Sequence, residues 1–390
     1  MTRCFPVLGA FLLLATGLLA GCGSSSGRSS GDARSLVVGA VVDVTGSAAA
    51  IGGPERDALQ LAADQINESG GINGRKVTLT VLDAKSDVAE SAKDATSLLT
   101  DKHVDVVIGS SRSAPSLAMR PVVERARVPM VSLAAAQSII EGSHWVFKMP
   151  PSDSVVFAQL VDYFHHQGFH RIGLLRDASA LGDGVDQLID KAGSPYGIST
   201  ATVEKFDAAD VDFTAQLVAL RSAHTDANVI YGSGASIALA TKQYRQLALT
   251  APLIHSYGAA TSTFLQLAGT AADGVILNGN RQLIVDSLRA SDPTKAVIEK
   301  FSTAFQKRYG RPPTPFAGYA YDAVNLVAAA CRQGSCSPAA LRDQLERITD
   351  FQGVTGTYDF SAADHSGLPK SPLVMLRVQD GHFEPLPASP

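Results

Sequence analysis

The run Leu36-Val37-Val38-Gly39-Ala40-Val41-Val42 decides the fold class of this 390-residue chain. It is nearly continuous in apolar residues and rich in valine, which is typical of a strand buried on both faces of a parallel sheet. A helical pattern follows at 54–68, with Pro54 in its expected first turn, and Gly70-Gly71 is expected to end it. An alternating strand comes next at 77–81. Strand, helix and strand in this order predict a βαβ unit.

The same alternation continues in two successive series, the second of which begins beyond residue 150. We predict further strands at 104–108, 128–133, 171–175, 199–205, 228–231, 252–255 and 373–378. Helices are expected at 88–101, 115–126, 154–167, 183–192, 213–222, 236–247, 294–309, 317–331 and 338–347. The pattern indicates two doubly wound, Rossmann-like α/β lobes. In such folds a ligand binds beyond the carboxyl ends of the strands, so the turns after the strands are candidate site segments.

The N-terminus indicates export. Arg3 precedes an apolar run at 5–20 that is too short to cross a membrane comfortably. The run ends in Leu19-Ala20-Gly21-Cys22, which resembles the bacterial lipobox. We therefore expect residues 1–21 to be a lipoprotein signal peptide and Cys22 to carry the lipid; the alternative is a plain signal peptide with a chance cysteine. The Gly/Ser-rich stretch 22–35 is expected to be a flexible tether. This places the protein in the cell envelope, extracytoplasmic and anchored to the bacterial membrane.

Composition and motifs exclude several classes of function. The 33 basic and 37 acidic residues give a net charge of −4, which lacks the basic footprint of a nucleic-acid-binding protein. We find no P-loop, no HExxH helix and no zinc-type cysteine cluster. We therefore expect no enzyme, no cofactor and no metal site.

Two cysteines remain after export and lipidation. Cys331 and Cys336 form an even pair in an exported chain, and Gly334 between them allows the chain to turn back. We expect them to form a disulfide; the alternative is two free thiols at a helix end.

Several segments together carry a family resemblance. They are 41–46 (VVDVTG), 70–75 (GGINGR), 107–109 (VIG), 356–360 (GTYDF) and 364–368 (DHSGL). The chain resembles the branched-chain amino-acid (Leu/Ile/Val) binding proteins of ABC importers, which have the type I periplasmic-binding fold. The resemblance implies two lobes joined by a three-strand hinge, which closes over a small molecule. It also implies delivery to a permease with a separate ATPase, by a protein expected to be monomeric.

The resemblance also sets the expected lobe limits. Lobe 1 is expected to comprise 36–150 plus 283–354, and lobe 2 to comprise 151–282 plus 355–390. The alternative function is a ligand-sensing receptor subunit of a membrane signalling system, since the same fold serves sensors. An exported hydrolase is a third class, but the sequence shows no nucleophile beside a base.

The resemblance implies a carboxylate site in the first lobe. Ser113, with Ser111 and Arg112 in the same turn, aligns with the family's ligand-binding serine turn. A serine beside a helix N-terminus suits an anion, although Ser113 would also serve as a helix cap. The Ala134 carbonyl is a further expected contact. Ala136 stands where the family has a threonine, so that hydroxyl is lost.

The second lobe departs further from the family pattern. Tyr257 stands where a glutamate would pair with the ligand's ammonium group, while Leu181 and Ile51 replace aromatic residues. Ser233, in a glycine-rich turn, is also expected to line the pocket. The interpretation is a small carboxylate or amphipathic ligand, and not a typical branched-chain amino acid. A nearby acid such as Asp183 could restore the missing charge from another turn.

Overall fold

Two separate sheets form the frame of the molecule. The computed structural model describes residues 35–179, 181–368 and 372–387, so the signal peptide and Cys22 lie outside the described residues. The first sheet is entirely parallel, in the order β2-β1-β3-β4-β5. Its strands are β1 Leu36–Val42, β2 Val77–Asp83, β3 Val106–Gly109, β4 Met130–Ser132 and β5 Val146–Lys148. Its connecting helices are α1 Ala49–Glu68, α2 Val88–Thr100 and α3 Ser113–Ala126.

The second sheet is larger and mixed. Its parallel strands are β6 Arg171–Asp177, β7 Ser199–Phe206, β8 Ala227–Tyr231, β9 Leu253–His255 and β10 Ile276–Asn280. A short pair, β11 Phe351–Gln352 and β12 Thr357–Tyr358, precedes the antiparallel strands β13 Leu373–Gln379 and β14 His382–Pro385. The order is β14-β13-β10-β9-β8-β6-β7. Helices of this part are α4 Asp153–Gln167, α5 Val185–Gly193, α6 Thr214–Ser222, α7 Ala235–Gln246 and α8 Ser262–Ala268.

The chain returns to the first sheet after β10. Helices α9 Lys295–Tyr309, α10 Pro315–Arg332 and α11 Pro338–Leu345 contribute to the core that packs on that sheet. Tyr358, Phe360 and Leu368 belong to the same core. The limits of the two lobes remain a prediction. The packing of these residues supports one change to them. We place 355–368 with the first lobe, so the third crossing precedes β13 and does not lie at residue 354.

The predicted element types agree with the structure, while several limits differ. The first helix begins at Ala49, so Pro54 lies inside it instead of in its first turn. The early start brings Gly52 against the Asp43 carbonyl, where a Cβ would lie 2.2 Å from the oxygen. β5 and β10 were not predicted, because β5 has three residues and includes a lysine, and β10 carries two asparagines.

The cysteine pair lies at the end of α10. The structure joins Cys331 to Cys336, with Cα atoms 5.0 Å apart, and the bridge in exported protein stays a prediction to be tested by mass analysis. Within the described ranges, no helix combines the length and the apolar character needed to cross a bilayer.

Candidate functional site

A cavity of about 670 Å³ lies between the two sheets. Most of its lining segments directly follow the carboxyl end of a strand. They are 46–48 after β1, 111–114 after β3, 133–135 after β4, Asp177, Ser179 and Leu181 at the end of β6, 207–208 after β7, 231–236 at β8 and 256–258 after β9. This is the position at which doubly wound sheets bind ligands. We call the lining segments of the first sheet, with Ile51 of α1, the first wall, and those of the second sheet the second wall.

Ser113 offers the clearest anion-binding geometry of the first wall. It is the first residue of α3, it is buried, and it lines the cavity. Its Oγ accepts a hydrogen bond from the Ala136 N–H at 3.2 Å, and within the described part of the chain its own proton remains free to donate. The first-turn N–H groups of a helix have no partners within the helix and carry partial positive charge. The arrangement suits a carboxylate.

Arg112 lines the same wall, but its charge is largely engaged. Its Nε donates to Asp43 Oδ2 at 2.8 Å, and one Nη donates to the Ser86 carbonyl at 2.7 Å. The side chain remains 29% exposed. Arg112 is therefore a cation at the edge of the site whose charge is largely compensated by Asp43.

Ser111 also lines the cavity, with its hydroxyl committed inward. It donates to the Glu55 carboxyl and accepts the Asp43 N–H at 3.1 Å. Burial raises the pKa of Glu55 well above its usual range, against the opposing effect of the Ser111 hydrogen bond. The Ser111 hydroxyl is therefore directed at Glu55 and Asp43, and its contact with a ligand stays a prediction.

The next turn separates two predicted residues. Ala134 lines the cavity, as does Ile51, whereas Ala136 is buried and is not part of the lining. Ala136 instead fixes Ser113 through its N–H group. Its predicted role as a direct ligand contact is therefore not what this geometry supports.

The second wall brings together the other predicted residues. Leu181, Ser233 and Tyr257 all line the cavity. Tyr257 is 7% exposed, and its hydroxyl is buried without a hydrogen-bond partner among the described residues. Asp183, the suggested source of a missing charge, lies elsewhere: it approaches Arg176 at 3.4 Å, its side chain is 70% exposed, and it is absent from the lining.

Sequence reasoning missed several lining residues. Asp177 is buried, and its Oδ1 accepts the Ser179 N–H at 2.7 Å. Asp207 also lines the second wall, and Phe316 and Leu267 contribute apolar surface from α10 and α8. Asp177 and Asp207 carried the same signal as the predicted turns, because each lies at a strand end. The second wall therefore contains an acidic side chain, that of Asp177.

Two buried ionisable side chains contact residues of the cavity lining. Lys148 of β5 is completely buried, and its Nζ donates to the carbonyls of Ala135, Pro150 and Pro151 at 2.9, 3.0 and 2.9 Å. Asp153, also buried, accepts a hydrogen bond from the Tyr231 hydroxyl at 2.8 Å. Burial lowers the pKa of Lys148 to about 8, although the charge of Asp153 opposes that shift. No sequence motif predicted these two buried residues.

Sequence comparisons agree with this geometry. A family model described as periplasmic binding protein matches residues 35–382. A Leu/Ile/Val-binding protein homolog of Brucella suis is 25% identical over 355 residues, which are 89% of this chain and 91% of that protein. A leucine-, isoleucine-, valine-, threonine- and alanine-binding protein of Pseudomonas aeruginosa is 26% identical over 322 residues, 81% of this chain and 83% of that protein.

Solved structures give the same result. An extracellular ligand-binding receptor from Rhodopseudomonas palustris has a TM-score of 0.84 at 26% identity, covering 90% of this chain and 99% of that one. The branched-chain amino acid transporter substrate binding protein LivJ of Streptococcus pneumoniae, in complex with isoleucine, has a TM-score of 0.79 at 27% identity, covering 90% and 98%. These relatives are binding proteins and not enzymes. With its two-sheet fold and its interlobe cavity, this chain belongs to the periplasmic binding protein family, as a solute-binding protein of the type I fold.

Proposed function

We propose that this protein is an extracytoplasmic solute-binding lipoprotein of an ABC importer, which captures a small carboxylate or amino-acid-like molecule in the cavity. The observation that carries the proposal is the free donor capacity of Ser113 at the start of α3, inside a cavity shared by both sheets. A hydroxyl proton and unpaired helix N–H groups at one point form a site for a carboxylate.

The two residues before Ser113 support this assignment, because their polar groups are already hydrogen-bonded within the protein. Ser111 and Arg112 are engaged with Glu55 and Asp43, so they stabilise the turn. Ser113 and the Ala114 N–H remain as direct donors. A carboxylate bound there would lie near Arg112, whose charge is only partly exposed, and would gain modest electrostatic stabilisation from it.

Calorimetry should test the ligand class. We expect benzoate or an aliphatic monocarboxylate to bind more tightly than leucine or valine, because Tyr257 replaces the acid expected for an ammonium group. The contrary result is micromolar leucine binding that is lost in Asp177→Asn but kept in Tyr257→Phe. It would show that Asp177 supplies the counter-ion and that the ligand is an ordinary amino acid.

Membrane anchoring through Cys22 is a separate part of the proposal. In a detergent partition of cells expressing the full chain, wild-type protein should enter the detergent phase and Cys22→Ser should not. Recovery of all wild-type protein in the aqueous phase would remove the lipid anchor from the proposal without affecting the solute-binding role.

Transport is tested by uptake. Deletion of the gene should abolish energy-dependent uptake of a radiolabelled acid that calorimetry shows to bind, and Ser113→Ala should reduce it. Unchanged uptake, together with a lost transcriptional response to that acid, would favour a signalling receptor over an importer.

A further inference from the structure

One peptide group connects the anion site of the first wall to a buried lysine. The peptide between Ala135 and Ala136 follows β4. Its N–H, which belongs to Ala136, donates to Ser113 Oγ at 3.2 Å, and its C=O, which belongs to Ala135, accepts from Lys148 Nζ at 2.9 Å. The N–H and C=O of a planar trans peptide point in opposite directions. Ser113 and Lys148 are therefore bound to the two ends of one rigid group.

Lys148 acts on this peptide group from outside the cavity. It is the last residue of β5, it is completely buried, and it is not part of the lining. Its Nζ also donates to the carbonyls of Pro150 and Pro151 at 3.0 and 2.9 Å. An ammonium group has three N–H protons, so the three carbonyls use all of them. Lys148 therefore has no donor for a bound solute and influences it only through other residues.

The two proline carbonyls tie the peptide group to the chain that leaves the first sheet. Pro150 and Pro151 belong to residues 149–152, which join β5 to α4, and Pro150 also lines the cavity. Proline rings restrict the backbone φ angle, so this segment is stiff. Lys148 therefore holds the Ala135 carbonyl against a rigid part of the backbone.

The two hydrogen bonds of the peptide group strengthen each other. A donor on the carbonyl oxygen polarises the peptide, which makes its N–H a better donor. A charged donor such as the Lys148 ammonium forms a stronger hydrogen bond than a neutral one. The bond that Ser113 Oγ accepts is thereby strengthened and its direction is fixed. A hydroxyl that already accepts one fixed hydrogen bond has fewer orientations left for its own proton.

We propose that Lys148 is a positioning residue for solute binding, which acts on Ser113 through the peptide group between Ala135 and Ala136. Lys148 holds the carbonyl end, the N–H end orients the Ser113 hydroxyl, and the hydroxyl donates its proton to the solute. The inference rests on the proposed function, because it takes the solute to place a carboxylate at Ser113. It adds a residue that controls this contact without touching the solute.

A double-mutant cycle tests this route. Lys148→Met keeps most of the unbranched side chain and removes all three donors. In calorimetry we expect it to weaken benzoate binding about tenfold, the value of one hydrogen bond. In the Ser113→Ala background the same substitution should change the affinity less than about twofold, because the residue through which it acts is gone. An equal loss in both backgrounds would overturn the inference, since Lys148 would then act independently of Ser113.

Amide hydrogen exchange gives a second readout, in the absence of solute. The Ala136 N–H should exchange about tenfold faster in Lys148→Met than in Tyr244→Phe, after correction for the global stability of each variant. Tyr244→Phe is the matched control: its hydroxyl bonds Asn228 and the Ala251 carbonyl at 2.8 and 2.7 Å, and it does not line the cavity. The control should lose stability and keep the wild-type affinity for benzoate. Equal exchange at Ala136 in the two variants would overturn the inference.

Lys148→Gln serves if Lys148→Met does not fold. Glutamine is smaller than lysine and keeps two N–H donors, so it should weaken benzoate binding less than tenfold, and only while Ser113 is present. Wild-type affinity in both Lys148 variants would overturn the inference and leave the proposed function intact. Failure of benzoate and every other acid to bind the wild-type protein would overturn the carboxylate ligand class, and the inference with it.

Discussion

The two walls of the cavity come from the same kind of βα repeat and present different chemistry. The first wall offers the free Ser113 proton at a helix N-terminus, backed by the Glu55, Ser111 and Asp43 network. The second offers the aromatic face of Tyr257 and the carboxylate of Asp177. The topology fixes where each turn meets the ligand, while the residues in the turn decide what it binds. The difference predicts that the two walls respond differently to pH and to substitution.

The largest expected effect is the acid response of His255, next to the second wall. Burial lowers its pKa to about 3 from a usual 6.5, and its Nε2 lies 3.0 Å from Thr241 Oγ1. Between these values the unfolded chain binds a proton that the folded chain excludes. Stability should therefore fall as the pH falls from 6.5 to 3, by up to about 5 kcal/mol.

Urea denaturation over this pH range should compare wild type with His255→Gln. The difference between the two should change with pH, since glutamine does not titrate. The control is His382→Gln, at an exposed position of the same sheet. Parallel curves for wild type and His255→Gln would contradict the prediction.

The next largest effect lies at alkaline pH and belongs to the first sheet. The pKa of Lys148 is lowered from 10.5 to about 8, first by burial, with Asp153 opposing. Between pH 8 and 10.5 the folded chain releases a proton that the unfolded chain keeps. Stability should then rise with pH by up to about 3 kcal/mol relative to Lys148→Met. A constant difference between the two proteins from pH 7.5 to 10.5 would show that Lys148 titrates normally.

How far the sequence predicts these features depends on how local their causes are. The sequence predicted the valine-rich strand β1 and the turns after the strands, because both kinds of feature are determined by residues that are neighbours in the chain. Ser113, Leu181 and Tyr257 lie on the cavity lining, and their contact with a ligand stays a prediction. Phe316 and Leu267 reach the cavity from helices with no local signal for it.

The hydrogen-bond partners of individual polar groups could not be predicted from the sequence. Ser111 bonds Glu55 across 56 residues, and Arg112 bonds Asp43 across 69. Only the folded structure shows that these groups are engaged, and that the Ser113 hydroxyl only accepts a hydrogen bond among the described residues. The same holds for Lys148, which reads as an ordinary strand lysine until its three carbonyl partners are known.

A third prediction sharpens the contrast within the first wall. Ser113→Ala should weaken carboxylate binding about tenfold to a hundredfold, because it removes a hydrogen bond to a charged group. Ser111→Ala should mainly lower stability, since it leaves the Glu55 carboxyl and the Asp43 N–H unpaired. Each variant removes one buried acceptor, so the difference in affinity isolates the ligand contact. Calorimetry with benzoate and thermal unfolding check both. Equal affinity losses would mean that the two serines contact the ligand alike.

The smallest expected signal is the approach of the two walls themselves. A ligand that touches Ser113 on one wall and Tyr257 on the other favours the arrangement in which both contacts are made, so it shifts the population toward a closed form. Small-angle scattering should show a smaller radius of gyration at saturating benzoate, or at saturation with another acid that calorimetry shows to bind. Ser113→Ala at the same acid concentration should show a reduced change, because its binding energy is lower. An unchanged wild-type profile at verified saturation would mean that the walls are already at their binding distance. The cavity would then select its ligand as a rigid site, with the Ser113 hydroxyl already in position for it.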